Sequence, residues 1–207
     1  MANRHFFDPN ARTKVRDAIV NIESQTSAEI VVAVRRQSGS YNHIDLAAGG
    51  IVAFITLLLL LFLPWEFQIT WMPLETVAAF SVGFMLTFPY WAPKRWLTRN
   101  KTLKAATWKA ACTTFHENKI SRTSQRNGIL VFVSMLERHV QIVTDIGIDT
   151  STLGPTWQST IDKMNNAVRS LNFDAFITSM EELGPILGES MPRAEDDINE
   201  LPDEPVM

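Results

Sequence analysis

Cysteine is almost absent: Cys112 stands alone in 207 residues. A disulfide framework is excluded, which agrees with a reducing compartment. No Cys/His pattern has zinc-ligand spacing, and the chain has no Walker loop, no Gly-x-Ser-x-Gly and no cysteine–arginine phosphatase loop. Most single-motif routes to an activity are therefore closed. Charge is missing over long stretches too. No Lys or Arg lies between Arg36 and Lys94, and no Asp or Glu between Thr76 and His116. A net charge of -3 and a pI near 5.8 exclude a broadly basic nucleic-acid binder, so no nucleic-acid partner is expected. The start, Met1 to Asp8, lacks the apolar core of a signal peptide. A later segment is expected to act as the insertion signal.

What the chain does have is a long apolar hairpin. Leu46 to Pro64 carries no charge, nor does Thr76 to Pro93. About 20 such residues rise roughly 30 Å as a helix, the thickness of a bilayer's hydrocarbon core. The connection Trp65–Pro73 is too short for a domain. Two transmembrane helices joined by a tight turn are expected, against the alternative of a buried helix pair in a soluble protein. Trp65, Trp71, Tyr90 and Trp91 fall where an interfacial aromatic belt would lie, and Pro89 sits where it would kink or end the second arm. Glu66 and Glu75 bracket the turn. Arg35 and Arg36 precede the first arm, while Lys94, Arg95, Arg99, Lys101 and Lys104 follow the second. By the positive-inside rule both long flanks, and both termini, are cytoplasmic. These basic residues would face anionic headgroups. The Gly49-Gly50 pair is a weak signal for self-association.

The flanks read as one split domain. Asp8-Pro9 opens a helix with Val15, Ile19 and Ile22 at helical spacing, ending near Gln25. Ile30–Val34 is a continuous β-branched run, expected as a central strand. After the hairpin, Asn100–Asn118 reads as a helix with Leu103, Trp108, Cys112 and Phe115 inward. Ile129–Val133 and the alternating His139–Asp145 read as a β-hairpin. Trp157, Ile161, Met164, Val168 and Leu171 mark an amphipathic helix. Asn172 caps another, which Gly184-Pro185 breaks or kinks. From Glu189 the tail is acidic and expected to be extended or disordered. The fold class is α/β: an α/β/α sandwich with a small mixed central sheet and an inserted two-helix transmembrane hairpin. Its parts are 1–43, 44–93, 94–188 and the tail 189–207.

Candidate chemistry gathers at two ends of that sheet. Glu29, Arg122, Arg126, Asp145 and Asp149 would meet at one end. Asp145, Arg122 and Glu29 are catalytic candidates there. Glu29, Asp145 and Asp149 are candidate oxygen ligands for calcium or magnesium. The alternative is an ordinary solvated strand edge, with Asp149 capping the next helix. Arg35 and Arg36 lie at the other end, the usual ligand crevice of open α/β sheets. There, too, the alternative is charge that serves orientation alone. His116 suits a helix C-terminus, and His139 a strand surface.

Ser27–Val34 after an amphipathic helix, and Gly128–Ile148, resemble the two halves of the TPM domain. The intervening hairpin and the ending Asp197–Val206 resemble a bacterial membrane-protein branch of that family. The resemblance implies an α/β/α domain. Some family members are acid phosphatases of photosystem repair and some bind calcium, usually outside the cytoplasm behind a signal peptide. This chain departs from them in having no signal peptide and a hairpin that splits the domain. The expected function is an inner-membrane protein whose cytoplasmic domain serves binding, assembly or quality control, with the bilayer and another membrane protein, or a second copy, as partners. The alternative is a membrane-tethered, metal-assisted phosphatase.

Overall fold

The computed structural model describes residues 6–63, 68–88, 90–194 and 199–206. Pro64, Trp65, Glu66, Pro89 and the tail stretch 195–198, all of which carried expectations above, lie outside them. The chain divides into two compact units, residues 1–38 with 104–207, and residues 39–103.

In the first unit, α1 (Pro9–Glu23) starts as read, with the Asp8 carboxylate accepting from the Asn10 amide and Pro at the first turn. β1 (Glu29–Arg35) is buried up to Val34. The sheet order is β1-β2-β3, where β2 is Gly128–Ser134 and β3 is His139–Thr144. β1 runs parallel to β2 from Glu29↔Gly128 to Arg35↔Ser134, and β3 antiparallel from Ile129↔Thr144 to Ser134↔His139. The central strand is thus β2, and β1 is an edge. Its apolar run reflects burial of both faces, which an edge strand also has when helices cover it. Val31, Ala33, Leu130 and Phe132 pack on Ala111 and Phe115 of α5 (Asn100–Glu117). The buried seam of α5 also includes Thr107 and Thr114, whereas Trp108, expected inward, is 51% exposed.

The remaining helices are α6 (Gly154–Ser170), α7 (Phe173–Glu181) and α8 (Leu183–Ser190). α1 meets β1, and α6 meets β3. Asn165 of α6 accepts from the Val140 amide, satisfying a donor of edge strand β3.

Two parts of the tail expectation change. α8 runs through Glu189, and the described end of the chain is not free. Val206 donates to the Val32 carbonyl at 2.9 Å, and its own carbonyl accepts from Val34 at 2.8 Å. The outer edge of β1 would otherwise leave those buried groups unpaired, which costs more than ordering a short tail segment.

In the second unit, α2 (Asn42–Phe62) packs against α3 (Met72–Thr87). A Cβ on Gly49 would lie 2.9 Å from the Phe80 ring and carbonyl, and one on Gly83 2.8 Å from Val52. The backbones approach this closely only because neither residue has a side chain. Gly49 is therefore used inside the hairpin, while a Cβ on Gly50 would meet nothing. α4 (Trp91–Leu97) follows α3 at 91°. The second apolar arm is thus not one straight span. The break lies between Thr87 and Trp91. By length and composition α2 can cross a membrane, and the bent α3–α4 pair is a second candidate. Leu46, Ile51, Phe54, Ile55, Leu58, Leu59 and Leu61 of α2 are exposed.

Lys94 corrects the reading of the basic flank. It is buried, with its Nζ 2.9 Å from Asp45 Oδ2, donating to the Phe88 carbonyl and lying over the Phe88 ring. Arg99, Lys101 and Lys104 are exposed and Arg95 is half-buried. Trp71 and Tyr90 are exposed and Trp91 partly so, and Trp96 is 86% exposed.

Candidate functional site

Register brings the starts of β1 and β2 and the end of β3 together, so Glu29 and Asp145 flank Gly128. Two strand spacings, about 10 Å of backbone, separate them. The loop before β2 is drawn in tightly. A Cβ on Gly128 would lie 2.4 Å from the Ile120 carbonyl oxygen, and one on Gly147 2.5 Å from that of Arg126. Arg126 takes a left-handed backbone there, with φ 55. That turn delivers its guanidinium to Asp145: Nη2 donates to Oδ1 at 3.0 Å, and Nε lies 2.9 Å from Oδ2 as an ion contact, Oδ2 accepting no hydrogen bond among the described residues. The Ile146 amide adds a second donor to Oδ1 of the buried carboxylate. Asp145 is thereby committed to fastening the loop.

Glu29 turns to other partners. It is buried, and its Oε2 accepts from the Leu201 amide of the tail. Asp149 is exposed and accepts from the Ser151 amide and hydroxyl, which hold its carboxyl below the usual range. It caps this turn, not α6, whose N-cap is Leu153. Arg122 is exposed on a short helical turn. Among the described residues, no three His, Cys, Asp or Glu side chains group to hold a metal. Glu29, Asp145 and Asp149, the candidate calcium or magnesium ligands, are each turned to a different protein donor.

The sequence reading missed Glu23. Its Oε1 accepts from the Ile30 amide at 2.8 Å. Burial pushes its carboxyl up to about 8. The Ile30 amide opposes this, the Glu29 and Asp203 carboxylates reinforce it, and Arg193 opposes it. The tail is anchored around this carboxyl. Arg193 donates to the Glu23 carbonyl, and Glu200 accepts from the Ser124 amide and hydroxyl. His139 is half-buried, and burial, then Lys104, hold its imidazole low. His116 is exposed at the end of α5, set edge-on to Phe115.

At the other end of the sheet, Arg35 and Arg36 leave β1. Their carbonyls accept from the Met135 and Leu136 amides. The following Ser38 is pinned by Glu137 Oε1 at 2.9 Å and by the Ser134 hydroxyl at 2.6 Å. An open hollow of about 710 Å³ here is lined by Phe7, Arg12, Val34, Arg35 and Arg36, among others. Arg12, unremarked in the sequence, joins the two expected arginines because α1 begins beside the end of β1.

Comparison with known proteins agrees with this architecture. The solved structure of the BA42 protein from the psychrophilic bacterium Bizionia argentinensis superposes with a TM-score of 0.56, at 19% identity, over 94% of this chain and 90% of that one. At that identity the likeness concerns the fold. A search of curated proteins gives no match. The family model of the TPM domain matches residues 97–183, from the end of α4 into the start of α8.

Proposed function

We propose that the chain is an integral protein of a bacterial inner membrane, with α2 and the α3–α4 pair forming a two-span hairpin inserted in the crossover between β1 and β2. The matched residues 97–183 follow the hairpin, and the segment Ser27–Val34 before it supplies β1 to the same sheet. In this reading the layers form an α/β/α sandwich, with α5 over one sheet face and α1 with α6–α8 over the other. The observation that carries the membrane assignment is the outward apolar face of α2. A core helix of a soluble protein would hide those leucines and phenylalanines, whereas acyl chains solvate them. Exposed Arg99, Lys101 and Lys104 after the second arm favour cytoplasmic flanks.

The domain acts as a binding module, in assembly or quality control of membrane proteins. Support comes from the carboxylates at the sheet end, each of which accepts from a donor of its own chain. A metal-assisted phosphatase built on Asp145 would need that carboxylate free. Hydrolysis of a generic phosphate ester by the detergent-purified protein, with and without calcium or magnesium, is expected to stay at the level of a heat-killed control. Metal-dependent turnover that disappears in Asp145→Asn while the melting profile is kept would overturn the binding reading.

A further inference from the structure

The hollow at the C-terminal end of β1 has the make-up of an oxyanion site. Among the described residues, three arginines and no acid line it. Its floor is stiff, because the backbone from Arg35 to Ser38 is tied to the β2–β3 turn by the bonds described above. Such fixing lowers the entropy lost when the side chains close on a ligand. The Arg36 guanidinium lies over the Phe7 ring, 5.7 Å from its centroid. Stacking of this kind orients the plane and leaves its edge N–H groups for an acceptor. Arg35 is engaged only loosely, 3.5 Å from Glu117 with both side chains about half exposed. A pair so exposed contributes little and yields to a better acceptor. Arg12 makes no ion pair among the described residues.

Phosphate, like carboxylate, presents paired oxygens that match a guanidinium fork. The source of the phosphate follows from chain connectivity. Only Gln37–Tyr41 separates Arg36 from α2. Fully extended, a segment of that length reaches at most about 18 Å. We propose that Arg12, Arg35 and Arg36 bind the phosphate of an anionic lipid headgroup at the surface of the membrane that α2 enters. This rests on the membrane reading above. It goes beyond topogenic charge, because it requires Arg12 and Phe7, which lie far before the hairpin in sequence and have no role in orienting it.

The test uses the full chain in nanodiscs of phosphatidylcholine mixed equally with phosphatidylglycerol, released into mild detergent for native mass spectrometry. The wild type is expected to retain phosphatidylglycerol over phosphatidylcholine by about tenfold or more. The triple variant Arg12→Gln/Arg35→Gln/Arg36→Gln is expected to lose that preference. Arg99→Gln/Lys101→Gln/Lys104→Gln, a control with the same charge removed from the other flank, is expected to keep it. Equal retention of the two lipids by the wild type would overturn the proposal, as would a preference unchanged in the arginine triple variant. Calorimetry with inorganic phosphate separates the sources: binding that needs the three arginines, without lipid preference, would replace the lipid by a soluble phosphate compound. Incorporation into discs of phosphatidylcholine alone reports the membrane reading separately, and a melting profile like the wild type's shows that the arginine variant is folded.

Discussion

Replacing Lys94 by Met alone is expected to destabilise the hairpin by about 3–5 kcal/mol, a large effect for a residue on a basic flank. Asp45 is fully buried in the first turn of α2, and neither of its carboxylate oxygens accepts a hydrogen bond among the described residues. The Lys94 ammonium, 2.9 Å from Oδ2, is what compensates that carboxylate. Removing it leaves a charge in a poorly polarisable site, which costs far more than the pair itself contributes. Lys94→Met also frees the Phe88 carbonyl at the α3–α4 break. The double variant Asp45→Leu/Lys94→Met is expected to recover most of the loss, since two apolar side chains replace two desolvated charges. Thermal or SDS unfolding in mild detergent, followed by helicity, reads the difference. A single variant as stable as the wild type would mean that the pair is open to water.

The second large effect is pH dependence set by Glu23. Its carboxyl is at about 8 in the folded protein against an ordinary 4.5. Between those values the folded chain holds a proton that the unfolded chain has released, so stability falls as pH rises. Below the window both states are protonated and the group contributes nothing. Above it the full cost is present, about 2–3 kcal/mol once the carboxyl's partial exposure is allowed for. Glu23→Gln keeps an acceptor for the Ile30 amide and should remove this slope. His139 acts in the opposite sense, since its lowered imidazole favours folding more as pH rises towards neutrality. The informative quantity is therefore the difference between wild type and Glu23→Gln in urea unfolding across pH 4.5–8. Parallel pH profiles would show that Glu23 titrates normally. Deprotonation places Glu23 beside Glu29 and Asp203, so the tail around Leu201 is where loosening is expected first.

Much of this was legible because it depends on local chemistry. Asp8-Pro9, the β-branched run of β1, the alternation of β3 and the long apolar arm each report their own environment directly. What failed depends on neighbours. β1 read as central because an edge strand covered on both faces has the same composition as a central one. The seam of α5 was misread because Thr107 and Thr114 carry the burial while Trp108 faces out.

Arg126, two residues before β2, outcompetes Arg122 for Asp145 because of a left-handed turn that no residue pattern announced. Glu29 and Asp145 do share a sheet end, yet sharing an end does not fix where side chains turn. The Asp45–Lys94 pair was the most accessible of the missed features. A lone acid just before one arm and a lysine just after the other fall at the same end of any tight hairpin.

The most direct measurement is topology in the cell. Membranes from cells expressing the chain would be washed at alkaline pH. Reporters would be placed after Ile69 in the turn and after the last residue. The chain is expected to stay in the washed membrane, with alkaline phosphatase active at the turn and green fluorescent protein fluorescent at the C-terminus. Release of the protein by the alkaline wash, or a turn reporter that behaves as cytoplasmic, would contradict the proposed two-span hairpin.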